Sequence, residues 1–164
     1  FNMNNAQSNT GGWQSSRMRS TTLPVVKAAF PSDLQAALKT TTIYTDNTGG
    51  LSTAASNVTT TQDMLYLLAE FEIFGARAYA NSAEQNYQQQ YAYYVAGNSK
   101  VKYRHSSTST AVYWWERSVS ASHANYFCDV GNNGASVIND AAYIRYFYRF
   151  YNIGYIQRAN ECIF

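Results

Sequence analysis

A chain of 164 residues with 46% hydrophobic content is long enough for one domain with a sizeable core and too apolar to be wholly disordered. Charged residues make up only 13% and the net charge is +2, so surface polarity comes from Ser, Thr, Asn and Gln, and the scattered Lys and Arg give no nucleic-acid footprint. No apolar run reaches bilayer length and no charged start precedes an apolar stretch, so neither membrane insertion nor a signal peptide is expected in this fragment.

The chain opens at Phe1 rather than Met, as expected of a fragment or processed form with a further domain, anchor or fibre upstream. Residues 1–12 are rich in Asn, Ser and Gly and read as a linker or the start of the domain, with Trp13 the first core anchor. Arg17 to Phe30 predicts a helix that restarts at Pro24 with Thr22 as its cap. Ser32 with Gln35 forms a capping-box pattern for a helix running to about Lys39, which sets Leu34 and Leu38 on one face. Thr40 to Tyr44 is β-branched and aromatic and predicts a strand. Asp46 to Thr61 reads as a long loop, and Met64 to Leu68, continuously apolar, as a buried strand. Glu70 to Phe74 predicts one helical turn stopped by Gly75; Glu70 and Glu72, two positions apart, do not share a helical face as an acid–base pair does. Asn81 to Ala96 reads as a short helix closed by a turn at Gly97-Asn98. A basic strand or loop over Lys100–His105 and a polar loop over Ser106–Thr110 lead into a strand from Val112 to Glu116.

The last third carries the most information. Strands are expected at Tyr126–Val130 and Ala135–Ile138, joined through Asn133-Gly134 as a primed two-residue turn, with a terminal strand at Cys162-Ile163-Phe164. Between Tyr143 and Tyr155, seven of thirteen residues are aromatic and five of those are Tyr. Tyr gives large, rigid, amphipathic contact area for few frozen torsions, and Ser, Gly and Asn add adaptable hydrogen bonding, as in a paratope. From Val119 to Ile156, 38 residues, there is no Lys, Met, Trp, Gln or Glu, whereas the first 118 residues hold 22 of them. These are the five types that no codon ending in C encodes. One reading is that hairpins and loops disfavour most of them. The sharper reading is adenine-directed mutagenesis of AAC codons.

Trp114-Trp115-Glu116-Arg117-Ser118, then Phe127-Cys128-Asp129-Val130, Asn132-Asn133-Gly134 and a closing Cys162-Ile163 resemble the variable proteins of diversity-generating retroelements. The likeness runs from about Gly12 to Ile163 and includes Met18-Arg19, Leu67-Leu68, Glu72-Ile73-Phe74-Gly75, Tyr91-Ala92-Tyr93-Tyr94 and Asn98-Ser99-Lys100-Val101-Lys102-Tyr103. It departs from the family at Tyr155 to Glu161, which delay the closing Cys. The resemblance implies an α+β, C-type lectin-like fold, with a small twisted antiparallel sheet, short helices and long loops. Its variable segment would span about 119–156.

The function so implied is a non-catalytic, hypervariable ligand-binding module of receptor or adhesin type, outside the cell, at its surface or on a virion tail. Trp114, Trp115, Phe127, Cys128 and Val130 belong to the scaffold. The candidate contact residues are Ser120, Ser122, His123, Asn125, Asp129, Asn132, Asn133, Asn139, Asp140, Tyr143, Arg145, Tyr146, Tyr148, Arg149, Tyr151 and Asn152. The partner is a protein or cell-surface ligand that the sequence does not name. The alternative is a structural domain of a phage tail or cell-surface fibre whose aromatic tract makes subunit contacts.

No cofactor or metal is expected. His105 and His123 lack ligand spacing, and the Glu-Pro-Asn and Gln-Pro-Asp motifs of calcium-dependent sugar lectins are absent. There is no Gly-x-Ser-x-Gly, phosphate loop or dinucleotide fingerprint. Formylglycine-generating enzymes on this general fold use cysteines, but the apolar flanks of Cys128 and Cys162 favour packing. Those two are either buried thiols or a bridge, the latter worth about 3–4 kcal/mol in the chain-entropy model.

Overall fold

A computed structural model describes residues 1–104 and 106–145. The expected terminal strand at Cys162–Phe164, the tyrosine tract beyond Arg145 and His105 lie outside the described residues. The fold is mixed α/β, with short helices and three small antiparallel sheets. The helices are α1 (Gly12–Ser15), α2 (Leu23–Ala28), α3 (Ser32–Ala37), α4 (Glu70–Phe74) and α5 (Ala92–Val95). Strands β1 (Thr41–Asp46) and β2 (Val58–Asp63) form one hairpin, and β3 (Lys102–Arg104) and β4 (Ser107–Val112) a second. The third sheet has the order β5 (Trp114–Val119), β6 (Tyr126–Val130), β7 (Ser136–Asp140). No helix among the described residues is long and apolar enough to cross a membrane.

The core gathers Met3, Trp13, Met18, Ile43, Leu65–Leu68, Ile73, Trp114, Trp115, Val119, Phe127 and Val130, all buried. Met3 and Asn9 are fully buried, so the first twelve residues are irregular but packed into the domain rather than a free linker. Trp13 anchors as its sequence position predicts, and its indole N–H donates to Asp63 at 3.0 Å. Such a partner lets a polar indole sit inside without an unmatched donor.

Several expectations change. Helix α2 continues from a π-helical turn over Met18–Thr22, and Thr22, itself helical, caps nothing. Pro31, not Ser32, precedes α3, and the Gln35 amide reaches back to the Phe30 carbonyl. Leu38 is buried and Leu34 half-buried. The last four residues of the expected loop at Asp46–Thr61 belong to strand β2, where Val58, Thr59, Thr60 and Thr61 pair with β1. β-branched side chains fit a pleated surface whatever their polarity.

Met64–Leu68 is not a ladder strand. The Leu67 carbonyl accepts from the Arg117 guanidinium at 2.8 Å and the Leu68 carbonyl from the Arg117 amide at 2.9 Å. The β6–β7 hairpin forms where expected, but the turn differs. Gly131 donates to the Ala135 carbonyl and Gly134 to the Gly131 carbonyl, with Gly134 at φ 82° and Asn133 outside the left-handed region. This is a longer loop with one left-handed residue, a conformation that Gly134 supplies cheaply.

Candidate functional site

Strand β5 is buried along its whole length, and its pairing explains the side chains it aims inward. Trp115 faces Asp129 and Val119 faces Phe127, so Glu116, Arg117 and Ser118 stand opposite Cys128 alone. The bulge takes these three residues out of the regular ladder.

The Arg117 guanidinium grips both Glu72 oxygens at 2.6 Å. It also donates to Thr45 Oγ1 at 2.7 Å and lies over the Tyr66 ring at 5.5 Å. Burial works most strongly against its charge, but the Glu72 carboxylate with Glu84 and Tyr91 together outweigh it and raise the Arg117 pKa above its ordinary value. Ser118 Oγ donates to Glu84 at 2.6 Å and accepts from the Glu70 amide at 3.2 Å. Glu70 accepts from the Ala78, Tyr79 and Ala80 amides and from Ser136 Oγ at 2.5 Å. Glu70 and Glu72 thus have separate partners, as their spacing on one helical turn predicts. This network has its donors and acceptors committed internally, and it is framework. Glu116 differs: it is fully buried with neither oxygen hydrogen-bonded among the described residues, and burial with Glu70 nearby drives its pKa well upward.

Above this framework the chain leaves β5 through a loop at residues 121–125. Buried Asn9 sets the path of that loop. Its amide group donates to the His123 carbonyl at 2.8 Å, the Tyr126 carbonyl at 2.9 Å and, more weakly, the Ser120 carbonyl at 3.4 Å. Its backbone N–H donates to the Ala124 carbonyl at 2.9 Å. Asn9 Oδ1 accepts from Gly50 N, and a Cβ on Gly49 would fall 2.2 Å from the Asn9 carbonyl oxygen. The Ala141 amide closes the far side by donating to the Asn125 carbonyl. The loop is therefore held through its main chain. Its side chains make fewer contacts: Ser122 Oγ lies 2.9 Å from His123 Nδ1 and 3.2 Å from Ser120 Oγ, the His123 ring stacks on Tyr126 at 4.8 Å, and the half-buried Asn125 amide donates to Asp140 at 3.3 Å.

The candidate contact residues divide three ways. Ser122, His123, Asn132, Asn133 and Tyr143 are exposed, and Asn125, Asn139 and Arg145 are half-buried. Ser120, Asp129 and Asp140 were expected on the surface, but they are buried at 1%, 0% and 6% exposure. Ser120 sits where β5 leaves the sheet, and its amide donates to the Tyr126 carbonyl. Asp140 accepts from the Ala142 amide and the Asn125 side chain and so fixes the exit from β7. Asp129 lies under Arg145. Tyr146, Tyr148, Arg149, Tyr151 and Asn152 lie outside the described residues.

The exposed residues are not one patch. Ser122, His123 and Asn125 cluster at the Tyr126 end of β6, and Asn132 and Asn133 at the Val130 end, roughly 13 Å away along the strand. Near the latter end the Arg145 guanidinium lies over the Tyr113 ring at 4.8 Å and within 5.8 Å of Tyr143. Its Nε is 3.5 Å from Asp129 Oδ2, an ion pair with no hydrogen bond. Burial raises the Asp129 pKa to about 7 despite that neighbouring cation.

Sequence reasoning missed Asn9, Tyr113 and Phe1, whose carbonyl accepts from the Arg145 amide and the Trp115 indole. An Asn in a polar opening stretch carries no mark of burial. Cys128 is a buried free thiol whose pKa burial raises. Among the described residues no group of three or more His, Cys, Asp or Glu has the geometry of a metal site.

A family model for a domain of unknown function, DUF6273, matches residues 1–149. The chain belongs to the DUF6273 family. The match takes in the packed opening segment with Asn9 as well as β5–β7, so the clamp and the loop it holds both lie within the DUF6273 domain. No curated protein and no solved structure matches the chain.

Proposed function

We propose that this DUF6273 domain is a non-catalytic display module of C-type lectin type, the variable protein of a diversity-generating retroelement. It binds a protein or cell-surface ligand through exchangeable side chains of its last third, at a cell surface or on a virion tail. The observation that carries the reading is the division of labour at residues 120–126. Asn9, outside the Val119–Ile156 segment, fixes the loop by its carbonyls, while Ser122 and His123 point outward and hold little. Side chains that do not shape their own backbone can be exchanged without losing the fold. Recognition energy then comes from Tyr and Arg anchors, with Tyr143 and Arg145 in place beside Tyr113. A framework ordered in advance limits the entropy lost on binding.

Sequencing the gene's neighbourhood tests this reading. It predicts a reverse transcriptase gene beside an imperfect repeat of the last third that differs at adenines. A neighbourhood with neither would contradict it.

A fibre domain with aromatic subunit contacts is the second reading, and the exposure of Ile144, 80%, beside Tyr143, 54%, favours it. Mass measurement in solution separates the two: an obligate trimer supports the fibre and a monomer the display module.

A further inference from the structure

One edge of strand β1 is paired with β2, and the other borders a groove of about 650 Å³ whose far side is the segment from Tyr87 to Ala96. We propose that this free edge is a docking site for an extended, uncharged peptide segment, which adds to β1 as a further strand. The site lies outside Val119–Ile156, so it does not depend on the display reading.

The direction of the main-chain groups decides the occupant. Asn47, one residue past β1, donates its amide to the Asn57 carbonyl at 2.9 Å, and the β1–β2 register runs unbroken from Thr41 to Asp46. Successive residues of an antiparallel strand turn their main-chain groups to opposite edges. Ile43 and Thr45 therefore bond to β2, while Thr42, Tyr44 and Asp46 face away. Side-chain partners agree: the Asp46 amide donates to Glu84 at 2.8 Å, and the Tyr44 carbonyl accepts from the Gln88 amide at 2.9 Å and from Arg117 at 3.3 Å. The Thr42 N–H, the Thr42 carbonyl and the Tyr44 N–H are left without a hydrogen-bond partner among the described residues. Edge strands are usually guarded by Lys, Pro or a bulge, and Thr41-Thr42-Ile43-Tyr44 has none of these.

Side-chain polarity in the lining selects no ligand class, because Thr41, Thr42 and Gln89 carry groups that donate as well as accept. The strand edge does select. A donor, an acceptor and a second donor lie along it at two-residue spacing, the pattern that an extended polypeptide repeats in its own main chain and a saccharide's hydroxyls do not. Glu72 is the one carboxylate in the lining, which contains no Lys, Arg or His, and Arg117 holds both its oxygens at 2.6 Å. No free charge is thus offered to a charged side chain of the peptide. Tyr44 and Tyr87 stack at 4.8 Å with Tyr87 54% exposed, a flat face for one side chain of the added strand. The open window ends at the Tyr44 carbonyl, which already accepts two donors. A peptide N–H arriving there finds no lone pair, so proline, which has no N–H, is the residue expected at that position.

The test uses the full chain. Amide hydrogen exchange followed by NMR is expected to be fast at Thr42 and Tyr44 and slow at Ile43 and Thr45. Calorimetric titration then uses N-acetylated, C-amidated octapeptides of alternating Thr and Val with a single Pro at each position in turn, and cellobiose for comparison. At least one peptide is expected to bind in the millimolar range and to slow exchange at Thr42. N-methylation of that peptide at its odd or at its even positions should abolish binding in one set and spare it in the other, because only alternate residues of an added strand face the edge. Thr42→Pro removes the edge donor without breaking a β1–β2 bond and should weaken binding about tenfold or more. Thermal melting confirms that this variant is folded. Slow exchange at Thr42 in the free chain, failure of every peptide to bind, equal binding by both N-methylated sets, undiminished binding to Thr42→Pro, or binding of cellobiose alone would overturn the proposal.

Discussion

Arg117 and Glu116 are neighbours in sequence with opposite consequences for stability. Arg117 is fully buried, and its two fork nitrogens match the two Glu72 oxygens. Arg117→Ala leaves a buried carboxylate without its cation and is expected to cost about 3–5 kcal/mol in urea unfolding. Arg117→Lys returns the charge without the fork and should recover only part of that. Glu116 offers two carboxyl oxygens that no group among the described residues reaches. Glu116→Met keeps the length and removes the unmatched polarity. It is expected to raise stability at pH 7 by about 1–3 kcal/mol in the same measurement. A loss of stability would show that the carboxyl has a partner after all.

At the level of the elements, Asn9 and the loop at 121–125 give the sharpest contrast. Asn9→Ala removes the donor from several buried carbonyls and is expected to cost about 2–3 kcal/mol. Ser122→Ala and His123→Ala together should stay within about 1 kcal/mol of the parent, since both are exposed and surface substitutions are usually small. Thermal or urea unfolding of the two variants side by side checks both.

The same loop shows how far the sequence is legible. β5 and β6 were readable because Trp114, Trp115, Tyr126 and Phe127 combine strand propensity with a need for burial. The β5 bulge was not readable, because it exists only through tertiary demands: Glu72, Glu84 and Leu68 must be met by Arg117 and Ser118. β2 was hidden because Thr59, Thr60 and Thr61 look polar and loop-like until β1 is beside them. Met64–Leu68 showed its burial but not its partner, which is one side chain and one amide of Arg117 rather than a strand. In the candidate site the exposed Asn and Tyr positions were legible as contact chemistry. Ser120, Asp129 and Asp140 were not, since short polar residues serve turns and caps as readily as surfaces.

For the whole molecule, buried acids set the response to pH. Burial raises Glu84 from 4.5 to about 7 and Asp129 from 3.8 to about 7. An acid whose folded pKa is raised binds its proton more tightly when folded, so its contribution is fully present below the unfolded value. It is lost as pH rises toward the folded value. Stability is therefore expected to fall between about pH 4 and pH 7, and Asp129→Asn should flatten the slope. Melting curves across that range measure it, and a midpoint that climbs with pH would contradict the assignment.

The central claim is that a stiff buried framework carries outward side chains the fold does not need. The most direct measurement is thermal unfolding of one chain with Ser122, His123, Asn132, Asn133 and Tyr143 all changed to Ala. A single cooperative transition within about 5 °C of the parent is predicted, because each position is exposed and a change of 1 kcal/mol moves a domain of this size by only about 2–4 °C. Loss of the cooperative transition would contradict the account, because those side chains would then be part of what holds the fold together.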